Sequence, residues 1–112
     1  MNLTPTRKGD QTIVTVNASR IDAASAIQFK DAMRSATADA GNHVILDLGQ
    51  VAFIDSSGLG AIVAAMKLIG PDRRLDLAAL TPDVDKVFRL TRMDTVFSIH
   101  GSLDSIPKRS AG

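Results

Sequence analysis

The chain has no cysteine, no tryptophan and no tyrosine. Without cysteine, disulfide frameworks, zinc–thiolate centres and cysteine nucleophiles are excluded, and the redox compartment stays open. Four scattered phenylalanines are the whole aromatic complement, so no row of rings is present on which single-stranded nucleic acid could stack. Neither sign of charge dominates: thirteen Lys and Arg face twelve Asp and Glu, for a net charge of +1. No basic stripe runs along the chain, and nucleic-acid binding is not expected. Long apolar runs are also missing. Nowhere do about 18 uncharged apolar residues follow one another, so no membrane span is expected. The opening "MNLTPTRKGDQTIVTV" lacks the apolar centre of a secretory signal, which makes the cytoplasm the expected location.

What is present suits one small domain. In 112 residues, 45% of them hydrophobic, there is material for a core that needs no staples. No repeat or low-complexity block divides the chain, and residues 1–10 and 107–112 read as flexible ends. Between them the periodicity alternates. "QTIVTVNA" has the polar–apolar alternation of a strand with Val14 and Val16 on one face. "IDAASAIQFKDAMRSATADAG" repeats Ala26, Phe29, Met33, Ala36 and Ala40 at helical spacing, with Gly41 as its C-terminal cap. "HVILDL" reads as a strand covered on both faces, "RRLDLAAL" as another, and "DTVFSIHG" as the last. "TPDVDKVFRLTRM" has Thr81 as N-cap, Pro82 at the first helical position and Asp83 near the positive end of the dipole, with Val84, Val87 and Phe88 inward. "SLDSIPK" adds a final helical turn. The expected fold is α/β, a small mainly parallel or mixed sheet with helices packed on it.

The stretch "VAFIDSSGLGAIV" breaks this economy by placing a carboxylate, two hydroxyls and two glycines between an apolar run and an apolar helix. In open α/β sheets functional groups gather at the carboxyl ends of strands, where the next helix presents free N–H groups. Asp55 or Ser56 can cap a helix beginning near Ser57, and Gly58 and Gly60 leave its first turn bare. A carboxylate and two hydroxyls exceed what one cap needs. Leu59, Ile62, Val63, Met66 and Ile69 form the expected core stripe, closed by Gly70 and Pro71. The other face, Gly58, Ala61, Ala65 and Leu68, is small and apolar, and Lys67 is the only charge on the helix. A helix apolar nearly all round is either fully buried or offers one face to another surface, and Ala61, Ala65 and Leu68 could equally pack against another helix of the same domain.

"HVILDLGQVAFIDSSGLGAIV" resembles the signature of STAS domains, and "FIDSSGLG" is similar to the anti-sigma factor antagonists of bacteria. "RIDAASAIQFKDAM" resembles the family's first helix and leading turn, and "LAALTPDVDKVFRLTRMDTVFSI" its last strand–helix–strand. The resemblance implies partner switching. Ser56 would be phosphorylated by a serine kinase of the histidine-kinase-like ATPase superfamily that is also the anti-sigma factor. The unphosphorylated form would bind that kinase and free the sigma factor, and a PP2C-type phosphatase would reset the cycle. Asp55, Ser57, Gly58 and Gly60 would form the loop around the phosphorylation site. Arg20, Asp22, Ala61, Ala65 and Leu68 would meet the partner. The chain departs from the family pattern in two turns: Ser19 and Arg20 replace a glycine–acid pair, and Arg92 stands where many members have glycine.

Other functions are less well supplied. Ser56 as a nucleophile with His43 or His100 as base lacks the G-x-S-x-G elbow, and "GLG" lacks the third glycine and the lysine of phosphate loops. No catalytic residue, metal or cofactor is expected. The alternative within the family is a non-switching docking module of a lipid-transport ATPase or of a signalling complex.

Overall fold

The computed structural model describes residues 1–106; the tail expected at 107–112 lies outside the described residues. Strands β1 (Leu3–Lys8), β2 (Gln11–Val16), β4 (His43–Asp47), β6 (Arg74–Ala78) and β7 (Ile99–His100) form one sheet in the order β1-β2-β4-β6-β7. Only the β1–β2 pair is antiparallel. A second, two-stranded parallel sheet joins β3 (Arg20–Ile21) to β5 (Phe53–Ile54). Helices α1 (Ala26–Ala36), α2 (Ser56–Ile69) and α3 (Pro82–Leu90) complete the mixed α/β architecture.

Strand alternation divides the large sheet into two faces. Val14, Val16, Val44, Leu46, Leu75 and Leu77 point into the main core, where they meet Phe29, Met33, Ile62, Ile69 and Phe88. Phe88 and Phe97 pack edge to face at 6.2 Å, a favoured aromatic geometry. The second face carries a smaller cluster of Ile13, Ile45, Ala78 and Ile106. Val44, Ile45 and Leu46 are therefore all buried, as the unbroken apolar run of β4 anticipates.

Several elements depart from the expectations. Residues 1–10 are not a loose end, because β1 pairs with β2 along its whole length through a turn in which Gly9 takes φ 60°, a region open to glycine. Helix α1 stops at Ala36, well before Gly41. There the Thr37 hydroxyl donates to the Met33 carbonyl at 2.7 Å, and Arg73 Nη1 donates to the Thr37 carbonyl at 2.8 Å, so terminal carbonyls find partners without a glycine cap. Thr81 precedes α3 as expected, but its hydroxyl donates to the Val51 carbonyl instead of capping. Of "DTVFSIHG", only Ile99–His100 is strand; Met93–Thr95 is a 3-10 turn entered through Arg92 at φ 60°. Leu103–Ser105 forms a final 3-10 turn closed by a reciprocal Ser102–Ser105 capping box.

Candidate functional site

The polar stretch at the head of α2 is organised by Asp55. Its Oδ1 accepts from the Gly58 amide at 2.8 Å, the N-cap bond, and its Oδ2 accepts from the Ala23 amide at 3.2 Å. One carboxylate thus satisfies an orphan donor of α2 and ties that helix to the loop leading into α1. Ser56, the first helical residue, and Ser57 are both exposed. Among the described residues neither hydroxyl makes a hydrogen bond. Capping and exposure fall to different residues.

Gly58 is buried, and a Cβ there would overlap the carbonyl of Ile21 and crowd Ile54 Cγ1 at 2.9 Å. The close approach it allows is therefore between α2 and β3 within the chain. At Gly60 an added Cβ would meet nothing within 4 Å, so this glycine does leave an open surface beside Ser56.

The face expected to meet a partner is corrected in part. Ala61 and Ala65 are buried at 3% and 1% exposure within the main core, and they are unavailable to another molecule. Small side chains let α1 and α2 approach closely, so their absence of bulk marks a packed face and not a free one. Leu68 is 41% exposed. Of the expected core stripe, Ile62 and Ile69 are buried, while Leu59, Val63 and Met66 are half-buried at its margin. The exposed line along α2 runs instead through Ser56, Ser57, Gly60, Lys67 and Leu68.

The β3–β5 pairing sets Arg20 opposite Phe53. The Arg20 guanidinium lies over the Phe53 ring at 4.7 Å from its centroid, and its Nε donates to Asp22 Oδ2 at 2.8 Å. Asp22 Oδ1 also accepts from the Ala24 amide and the Ser25 hydroxyl. Desolvation pulls the Asp22 carboxyl upward, but the bonds from Ser25 and Arg20 and the Arg20 charge outweigh it, and the group sits below the usual carboxylate range. Asp22 thus orders the loop, and Arg20 is its outward-facing part.

Phe53 is 45% exposed, two residues before Asp55, and sequence reasoning missed it. The available signal was alternation in "AFID", where Ile54 turns inward and its neighbour outward. The imidazoles of His43 and His100 are both bonded to Asp76 on β6, and neither is bonded to Ser56. No helix among the described residues is long and apolar enough to cross a membrane.

Comparison with known proteins places this geometry. An anti-sigma factor antagonist from Mycobacterium paratuberculosis superposes with a TM-score of 0.80 at 24% identity, over 92% of this chain and 87% of that one. The Bacillus cell fate determinant SpoIIAA in its phosphorylated form gives 0.63 at 17%, over 92% and 94%. The murine anion transporter Slc26a9 gives 0.76 at 16%, over 89% of this chain but 17% of that one. These likenesses agree on the fold. The STAS domain model matches residues 3–106, from β1 through the last 3-10 turn and including the whole Asp55–Ser56 junction, and the chain belongs to the STAS domain family.

Proposed function

We propose that this STAS domain is an anti-sigma factor antagonist that works by partner switching. With Ser56 unmodified, the head of α2 and the Arg20–Phe53 rim bind an anti-sigma factor that is also a serine kinase of the histidine-kinase-like ATPase superfamily, and the sigma factor is released. The kinase then phosphorylates Ser56 and the complex separates; a PP2C-type phosphatase removes the phosphate. The domain is a substrate and a binding partner in this cycle, not an enzyme, and it acts in the cytoplasm.

The division of labour between Asp55 and Ser56 carries this reading. Asp55 uses both carboxylate oxygens to hold the helix and loop, so Ser56 can gain or lose a phosphate without disturbing the cap. A phosphoserine adds roughly −1.5 to −2 charges, which a helix N-terminus favours by about 0.3–1 kcal/mol. The fold therefore tolerates the modification, whereas a contact surface closed over it does not. A buried, unpaired dianion costs several kcal/mol, and ~1.4 kcal/mol is already tenfold in affinity. One phosphate suffices to separate the partners.

A second reading is a docking module of a lipid-transport ATPase or signalling complex with Ser56 unmodified; the same fold occurs as a small part of a murine anion transporter. Parallel pull-downs from native extract with Ser56→Ala and Ser56→Asp baits separate the two. A kinase-like ATPase held by the first bait and lost from the second supports switching. Equal retention on both baits, or no kinase on either, supports docking.

A further inference from the structure

The rim beside the head of α2 carries Arg20, Asp22 and Asp55, and their charges are not equally presented. Asp55 commits its oxygens to the Gly58 and Ala23 amides. Asp22, whose side chain is 19% exposed, commits its own to Arg20 Nε, the Ala24 amide and the Ser25 hydroxyl. Both carboxylates are thus turned onto donors of the chain itself. The Arg20 side chain is 60% exposed. Its Nε is held by Asp22 and its guanidinium by the Phe53 ring, while Nη1 and Nη2 have no partner among the described residues. The charge this rim offers outward is positive.

We propose, resting on the reading of this face as the kinase-binding surface, that Arg20 selects a partner that presents an aspartate or glutamate carboxylate to its Nη1 and Nη2 atoms. A free arginine loses much rotamer freedom when it binds. Here Asp22 and Phe53 have already fixed the side chain, so less of that loss falls on association. The unpartnered edge of the guanidinium is a planar fork that matches the two oxygens of a carboxylate.

Other surfaces fit this rim less well. An apolar one closed over Arg20 leaves N–H donors buried without acceptors, and a basic one sets like charges together. A carbonyl can accept a single N–H, but only a carboxylate meets both Nη atoms and the charge. Phe53, opposite Arg20 in the β3–β5 pairing and 45% exposed, gives an apolar shoulder that excludes water from the pair, which strengthens it. Strand β5 leads through Asp55 to Ser56, so a carboxylate seated here shares its interface with any phosphate on Ser56, and the two anions oppose one another. The acid that gives the partner its specificity then also helps to release it.

The test uses the Ser56→Ala protein and the kinase-like ATPase that it retains from native extract. Arg20→Lys is added to the bait, and the complex is treated with a water-soluble carbodiimide, which joins an amine to a carboxylate in direct contact. Mass spectrometry of the cross-linked peptides is expected to show a link from position 20 to an aspartate or glutamate of the kinase. With the purified pair, Arg20→Glu is expected to weaken binding at least about tenfold, and exchanging the linked kinase acid for lysine to recover most of that loss. Links confined to Asp22 of the same chain, or binding unchanged by Arg20→Glu, overturn the role of Arg20 while leaving kinase binding in place. A Ser56→Ala bait that retains no kinase overturns the underlying reading and the role of Arg20 with it. Thermal melting accompanies each variant, and Arg20→Gln, which sets no second acid beside Asp22, shows the same direction of effect if Arg20→Glu disturbs the loop.

Discussion

A methyl group added at Gly58 would overlap the Ile21 carbonyl, whereas one added at Gly60, half a turn on, would enter open space. Gly58→Ala is accordingly expected to destabilise the domain by about 1–3 kcal/mol or more, the range for overpacking against rigid backbone. Gly60→Ala should stabilise it by about 0.5–1 kcal/mol, because glycine in a helix interior costs that much in chain entropy. Urea denaturation of both variants checks the pair, and equal effects would contradict the packing described. Arg92 poses the complementary case. It holds φ 60° without the freedom of glycine, a conformation that costs an ordinary residue about 1–2 kcal/mol. Arg92→Gly is expected to raise the melting temperature, as far as the added entropy of the unfolded chain allows.

At the scale of elements, the long periodic segments were legible and the short ones were not. α2, α3, β2, β4 and β6 announce themselves through hydrophobic period and end signals. β3 and β5, two residues each, are made by long-range pairing that no local pattern encodes, yet they place Arg20 and Phe53 beside the head of α2. α2 buries more than its bulky stripe: Ile62 and Ile69 enter the core as their spacing predicts, and Ala61 and Ala65 go in with them, because two helices in close contact bury small side chains. The Asp55–Ser56 junction was legible because its polar residues exceed what a cap requires. With Phe53 45% exposed and stacked under Arg20, Phe53→Ala is expected to weaken binding of the proposed kinase partner by at least about 2 kcal/mol, the scale of an interface hot spot. Its effect on stability should stay near 0.5 kcal/mol, as for a surface change. Calorimetric titration beside thermal melting distinguishes this from a loss of fold.

For the whole molecule, pH acts through the buried carboxylate. Burial drives the Asp76 carboxyl upward, but hydrogen bonds from His100, Arg74 and His43 and the Arg74 charge prevail, leaving it below the usual range. A carboxyl lower in the folded state than in the unfolded chain, where it titrates near about 3.9, stabilises the fold above that pH. The contribution is lost as pH falls through the folded value. Asp76→Asn is therefore expected to be less stable than the parent at neutral pH, with the gap narrowing below about pH 4. Chemical denaturation at a series of pH values checks it; a gap constant down to pH 3 would refute the assignment. The one visible sign of this cluster in sequence is an acid inside the apolar strand "LDLA", and the histidines that answer it come from elsewhere in the chain.

Asp55 holds the Gly58 amide with one oxygen and the Ala23 amide with the other, and this double anchorage has a kinetic meaning. In the proposed switch a phosphate on Ser56 would change the surface of a loop whose two anchoring bonds do not involve Ser56. The head of α2 then need not refold between the two states. The tempo of the proposed switch is then set outside this chain, by how quickly a partner lets go and how often the kinase and phosphatase return.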